Sequence, residues 1–182
     1  MTNYRYLGSW NFLLNRPIAS DGWINDAEAQ RRYESGSGLF AVVDADAGNG
    51  VAPKFVLEVS PSKVDPGFRA IFLNDAMSIV EVITYKTVDG RLFKWISVNY
   101  EYPDETTKYE LDESTMIVKG KTSPSGDGLL TINDKSKPTV EKVSFRDVPV
   151  DDRWLPIPTF GDWRNLTNRR VSDAQIRSTT QS

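Results

Sequence analysis

The sequence predicts an all-β protein: a single antiparallel up-and-down β-barrel with a short helical or loop excursion after strand 1 and an irregular C-terminal segment. Short runs rich in Val, Ile, Phe, Tyr and Thr follow one another, and turn-forming Gly, Pro, Asn and Asp residues separate them. Helical signals are almost absent. Closure into a barrel is favoured because it removes the unpaired sheet edges that promote aggregation. The 182 residues suit one such domain.

The first strand is predicted over residues 8–16, where apolar and polar residues alternate. Trp10, Phe12 and Leu14 fall on one side of this run. A period of two is typical of a half-buried strand, and Arg16-Pro17 would end it because proline cannot donate to the ladder.

Residues 17–38 form the predicted excursion. Asn25 or Asp26 could cap a short helix over residues 27–33, and the Gly/Ser-rich stretch 35–38 would end it. A segment inserted between the first two strands would lie across one mouth of the barrel. We therefore predict that 17–38 is a lid.

Further strands are predicted along most of the remaining chain. The runs lie at 39–44, 54–60, 67–74, 76–88, 91–102, 107–111, 115–121, 128–132 and 139–147. The strongest local signal is Asp89-Gly90 between two long runs. Asp-Gly readily adopts the positive φ angles of a type I′ turn, which matches the twist of paired strands. This pattern predicts a tight hairpin.

The chain changes character after Val148. Residues 149–166 combine prolines, which interrupt a ladder, with Trp, Leu, Ile and Phe. We expect this segment to pack over the barrel or onto another subunit, so a homo-oligomer would form through 149–164. The barrel domain is predicted over 1–166, and the polar residues 167–182 are expected to be a solvated tail.

Composition excludes several classes of function. The chain has no Cys and no His, which removes disulfides, thiolate metal sites and the commonest general base and metal ligand. We predict no metal and no cofactor. Asp44–Gly50 looks like a calcium loop, but its twelfth position is Phe55 where a bidentate Glu is required.

Charge and hydropathy give expectations about partners and location. The net charge is −3 and looks evenly spread along the sequence, so no nucleic-acid partner is expected. No window approaches 18 apolar residues and no secretory signal is recognised, so we expect no membrane span and a cytoplasmic location.

If the sheet closes into a barrel, alternating residues of its strands line an interior that could bind a ligand. The predicted ligand-binding residues are aromatic, apolar or small and polar: Trp10, Phe68, Phe72, Met77, Tyr85, Phe93, Trp95 and Asn99. Glu81 and Glu101 interrupt otherwise apolar faces and are the catalytic candidates. An inward carboxylate in apolar surroundings has a raised pKa and can exchange a proton. If the faces are inverted, both carboxylates point to solvent.

The Gly8-x-Trp10 signature on the first predicted strand resembles the first motif of the lipocalin and calycin group. The resemblance implies that the Trp10 indole closes the base of a barrel against an arginine late in the chain, with Arg146, Arg153 and Arg164 as possible counterparts. It also implies that the protein binds a small, largely hydrophobic molecule in the barrel cavity.

Two alternatives remain open. In size, strand content and N-terminal excursion, the chain is similar to β-barrel cyclases and isomerases of natural-product biosynthesis, of the allene-oxide-cyclase-like and cycloaddition types. Such an enzyme would need no cofactor, because it would accelerate a polyene substrate by orientation. The other alternative is a structural or virion-type assembly protein that uses 149–164 and the tail as docking arms. The sequence leaves open whether the protein is an enzyme.

Overall fold

The computed structural model describes residues 4–18, 22–48 and 51–169. Its strands are β1 (Tyr4–Leu7), β2 (Trp10–Asn11), β3 (Arg16–Pro17), β4 (Trp23–Ile24), β5 (Phe40–Asp44), β6 (Phe55–Ser60), β7 (Gly67–Leu73), β8 (Ile79–Val88), β9 (Arg91–Glu101), β10 (Met116–Thr122), β11 (Gly128–Asp134), β12 (Glu141–Phe145) and β13 (Trp154–Pro156). The α-helices are α1 (Asp26–Ser35) and α2 (Arg164–Thr167). Two 3-10 turns lie at Leu111–Glu113 and Asp151–Arg153.

One antiparallel sheet of 11 strands dominates the molecule. Strands β5 to β12 follow one another as neighbours in chain order, β1 pairs with β5, and β4 pairs with β1. Strand β13 pairs with the first residues of β9. The predicted antiparallel, up-and-down all-β class is confirmed. The recorded strand order ends at β4 and β12, and no pairing joins these two strands in the described part of the chain.

The strand predicted over 8–16 is wrong. The segment that enters the main sheet is β1, and residues 10–17 instead form the small β2–β3 hairpin, in which Trp10 pairs with Pro17. Two backbone hydrogen bonds join the two ends of this excursion. The Gly8 N–H donates to the Gly22 carbonyl at 3.1 Å, and the Ile18 N–H donates to the Ser9 carbonyl at 3.0 Å.

Helix α1 confirms the predicted helical excursion. The Asn25 side chain accepts a hydrogen bond from the Glu28 N–H at 2.8 Å and so satisfies one of the free amides of the first turn. Gly36 ends the helix with φ 72°, a left-handed conformation that glycine adopts without a Cβ penalty. The buried Ala29 faces the sheet.

The hairpin prediction at Asp89-Gly90 is also confirmed, because both residues have positive φ angles, 49° and 72°, as a type I′ turn requires. The strand predicted at 107–111 is absent. The Asp104 carboxylate instead accepts the Thr106 and Thr107 N–H groups, each at 2.8 Å, and this local capping competes with strand pairing.

Both faces of the sheet are buried across β1 and β5 to β8. One face, represented by Val42, Leu57 and Ala70, packs against residues from α1 and α2, and we call it the helix face. The opposite face, represented by Val43 and Val56, packs against Trp10 and Phe12 of the β2–β3 excursion, and we call it the hairpin face. The core therefore consists of two layers separated by the sheet.

The C-terminal segment packs on its own chain, which is one of the two outcomes predicted for 149–166. Leu155, Ile157 and Phe160 pack against the helix-face core. Trp163 is fully buried there, and its Nε1–H donates to the Tyr6 hydroxyl at 3.3 Å. The apolar side chains of this segment are thus used within the chain.

Candidate functional site

Two β-bulges decide which predicted site residues share a face. The pairing register shifts between Phe72 and Leu73 and again between Thr84 and Tyr85. Register and packing place most of the candidates on the helix face: Phe68, Phe72, Glu81, Tyr85, Asn99 and Glu101. The others fall on the hairpin face: Trp10, Met77, Phe93 and Trp95.

The candidates on the hairpin face do not form one group. Trp10 and Met77 belong to the hairpin-face core, whereas Phe93 and Trp95 lie outside it. Trp10 is buried, and its Nε1–H has no hydrogen-bond partner in the described part of the chain. Phe93 packs against Trp154, with the ring centroids 4.8 Å apart. Trp95 lies between Lys86 and Lys121, whose Nζ atoms are 5.2 and 5.0 Å from its ring centroid. These side chains do not surround a common space.

On the helix face, Phe68 and Tyr85 belong to the filled core. The ring of Phe68 lies 6.4 Å from that of Trp163 by their centroids, and Tyr85 is buried in the same cluster. Within the described residues, no recorded contact joins Trp10 to Arg146, Arg153 or Arg164. The lipocalin resemblance therefore stays a prediction.

A groove with a volume of about 390 Å³ lies at the edge of the helix face. Its walls come from the start of β6, the end of β7 with the residues that follow, and the end of α2. It is lined by Lys54, Phe55, Phe72, Leu73, Asp75, Thr167, Asn168 and Arg169. Phe55 and Phe72 pair across the two strands, so their rings form an apolar floor.

A buried carboxylate lies next to this floor. Glu81 pairs with Phe72 on one side and with Asn99 on the other, and it is 3% exposed. Arg169, which lines the groove and is about half exposed, donates its Nε–H to Glu81 Oε2 at 3.3 Å. The groove therefore joins an apolar floor to a charged pair at one end.

Of the predicted site residues, Phe72 lines the groove, and Glu81, which pairs with Asn99, lies beside it. The sequence did not predict the wall that completes the groove. Residues 167–169 were assigned to a solvated tail, yet they line the groove. The rest of the predicted tail, 170–182, lies outside the described residues. None of the described residues of 17–38 lines the groove, and Tyr33 from that segment contacts Trp163 and Phe160. The lid role stays a prediction.

A second, much smaller space of about 10 Å³ lies between the β2–β3 excursion and the loop after β9. This volume has room for about one water molecule. Lys108 closes it by donating from Nζ to the carbonyls of Phe12 and Leu13 at 3.1 and 2.9 Å. These hydrogen bonds connect the β2–β3 excursion to the loop after β9, so Lys108 has a structural role here.

Two groups with strongly shifted pKa values, Asp104 and Tyr102, lie in the loop after β9. The Tyr109 hydroxyl donates to Asp104 Oδ2 at 2.7 Å, and this bond with those from Thr106 and Thr107 lowers the pKa of Asp104. Burial raises the pKa of Tyr102 to about 12. Tyr102 stacks on Tyr109 with centroids 5.5 Å apart. None of these groups lines the groove. The hydrogen bonds to Asp104 and the Tyr102–Tyr109 stack connect residues of the loop to one another.

Among the described residues no group of three or more carboxylates is arranged to hold a metal ion. No helix in that part of the chain has the length and apolar character needed to cross a bilayer. No protein-family model, no curated protein and no solved structure matches this chain.

Proposed function

We propose that the protein binds a small, largely hydrophobic molecule in the groove between β6, β7 and the end of α2. The observation that carries the proposal is the groove of about 390 Å³ over the rings of Phe55 and Phe72. Small-molecule sites commonly have volumes of about 300–1,000 Å³, an apolar lining and a few placed polar groups.

The polar groups at the rim give such a ligand an orientation. Arg169 is held at the groove through its bond to the buried Glu81, so its guanidinium is positioned before a ligand arrives. Lys54 and Asn168 add further donors to the rim. A molecule with an apolar body on the floor and one polar end near Arg169 fits this arrangement, because positioned polar groups give specificity at low entropic cost.

Binding is favoured over the cyclase alternative. Acceleration by a shaped pocket relies on enclosing the substrate and excluding water. The groove lies open along one side and supports capture of a ligand more directly than turnover. The cyclase and assembly alternatives stay predictions without a supporting observation of their own.

The proposal is tested by filling the groove. Asn168→Phe introduces a ring at the exposed wall, and Asn165→Phe makes the same change one turn earlier, at an exposed residue that does not line the groove. Titration with the fluorescent apolar probe 1-anilinonaphthalene-8-sulfonate should give saturable binding to the wild type and to Asn165→Phe. Asn168→Phe should weaken that binding at least tenfold. Absent wild-type binding, or equal binding by both variants, would contradict the proposal.

A further inference from the structure

We infer that the hairpin face of the sheet, over strands β8 to β12, is a binding surface for single-stranded nucleic acid. The surface is separate from the groove, which opens on the opposite side of the sheet. It is defined by five cations and two indoles: Lys86, Arg91, Lys119, Lys121, Lys142, Trp95 and Trp154.

Strand register places these cations on one side. Lys86 pairs with Phe93 across β8 and β9, and Lys121 pairs with Ile96 across β9 and β10. Lys119 and Lys142 both pair with Thr131 from its two neighbouring strands. Because paired residues point to the same face, the four lysines share the hairpin face. All four are exposed.

The acidic residues of the same strands lie on the other side. Glu81, Glu101, Asp134 and Glu141 fall on the helix face by the same register. Strands β8 to β12 are described in full, and no Asp or Glu of theirs shares the hairpin face with the cations. None of the five cations forms a salt bridge in the described part of the chain. Over strands β8 to β12, a chain of net charge −3 thus presents a hairpin face whose strand charges are all positive.

Two half-buried indoles lie among these cations. Trp95 has a lysine on each side, with Nζ atoms 5.2 and 5.0 Å from its centroid. The Arg91 guanidinium lies 5.1 Å over the Trp154 ring, and Trp154 pairs with Phe93 at the neighbouring position of the sheet. Standard strand spacings separate the two indoles by about 8 Å.

Charge complementarity and aromatic character together identify the partner. Proteins that bind single strands combine cations that follow the phosphates with aromatic rings on which bases stack. The four strand intervals from β8 to β12 give a surface about 19 Å wide, which is enough for several nucleotides. The sequence alone predicts no nucleic-acid partner because the net charge is small. Net charge is a sum over the whole chain, so it does not show that the sheet places positive and negative residues on opposite faces.

The inference is tested by fluorescence anisotropy of fluorescein-labelled (dT)20 and (rU)20 at 50 mM salt, followed by a salt series. We expect binding to the wild type at micromolar concentrations, in the range of about 10⁻⁴ to 10⁻⁶ M typical of non-specific complexes. The double variant Lys86→Gln/Lys121→Gln should weaken binding at least tenfold. It should also reduce the salt slope by roughly 1.4, since each neutralised phosphate contributes about 0.7 for a single strand.

Matched variants separate the surface from general charge. Lys63→Gln/Lys137→Gln removes the same charge from two exposed loop positions outside the seven residues that define this surface, and should leave the affinity within twofold. Trp95→Leu keeps an apolar side chain but removes the ring, and should weaken binding roughly tenfold through lost stacking. Circular dichroism of each variant checks that the fold is retained.

Several results would overturn the inference. The inference is wrong if the wild type does not bind either oligonucleotide at 50 mM salt. It is also wrong if Lys86→Gln/Lys121→Gln and Lys63→Gln/Lys137→Gln lose the same affinity. If Trp95→Leu binds as the wild type does and heparin binds as tightly as (dT)20, the surface recognises any polyanion and not bases. Tighter binding to phosphatidylglycerol vesicles, lost in Lys86→Gln/Lys121→Gln, would assign it to a membrane surface instead. Binding of either (dT)20 or (rU)20, at equal or unequal affinity, supports the inference when Lys86→Gln/Lys121→Gln and Trp95→Leu both weaken it.

Discussion

Truncation of Trp163 tests how much stability the C-terminal segment contributes. The indole is fully buried on the helix face and contacts the rings of Tyr33, Phe40, Phe68 and Phe160. A buried Trp removes about 150–250 Å² from water, which corresponds to about 4–6 kcal/mol at 25 cal/mol per Å². Because the alanine retains part of this area and the neighbours relax, we expect Trp163→Ala to lower the free energy of unfolding by about 3–5 kcal/mol.

The loss can be measured by urea unfolding followed by circular dichroism, and it corresponds to a fall in Tm of about 8–15 °C for a chain of this size. Trp163→Phe should cost less, about 1–3 kcal/mol, because a ring remains and the main loss is the hydrogen bond to Tyr6. Trp23, which is 39% exposed and stacks with Arg5, offers a Trp→Ala comparison expected to lose less, about 2–3 kcal/mol. A loss below 1 kcal/mol for Trp163→Ala would refute the argument that this segment is part of the core.

Two further predictions concern the loops. Tyr109→Phe removes the largest cause of the low Asp104 pKa, so that pKa should rise toward its ordinary value of 3.8, as measured by carboxyl NMR shifts; an unchanged value contradicts the assignment. Since the Asp104 pKa is lowered by folding, its stabilising contribution is present above about pH 4 and is lost as the pH falls, and Tyr109→Phe should reduce that acid dependence. Gly126→Ala should lower the free energy of unfolding by about 2–4 kcal/mol, because φ is +87° and a Cβ would lie 2.4 Å from the Val148 carbonyl oxygen. Gly90→Ala should lower it by only about 1 kcal/mol, because Gly90 has a positive φ but no atom within 4 Å of the added Cβ. Equal unfolding midpoints for the two alanine variants would contradict this comparison.

Prediction from sequence succeeded where the determining interactions are local. The Asn25 cap, the Gly36 end of α1 and the Asp89-Gly90 turn each depend on residues within about four positions. A local interaction was also missed. At residues 107–111 apolar and β-prone residues predict a strand, but the Asp104 side chain accepts the nearby Thr106 and Thr107 N–H groups and competes with strand pairing.

The candidate site could be predicted only in part, for a physical reason. The sequence singled out Glu81 because it interrupts an alternating apolar pattern and Phe72 because it continues one. The two residues pair across β7 and β8. Alternation cannot reveal a bulge, and each bulge exchanges the faces of every residue beyond it. The two bulges in β7 to β9 therefore moved Met77, Phe93 and Trp95 to the hairpin face.

The sequence alone determined the fold class, the helix and the tight turns, because strand periodicity and capping are encoded by neighbouring residues. Which side chains meet depends on the tertiary structure. Glu81 and Arg169 are 88 positions apart, and Trp163 reaches Tyr6 across 157 positions. Contacts of this range follow from strand register and from the path of the C-terminal segment, and no local pattern specifies either of them.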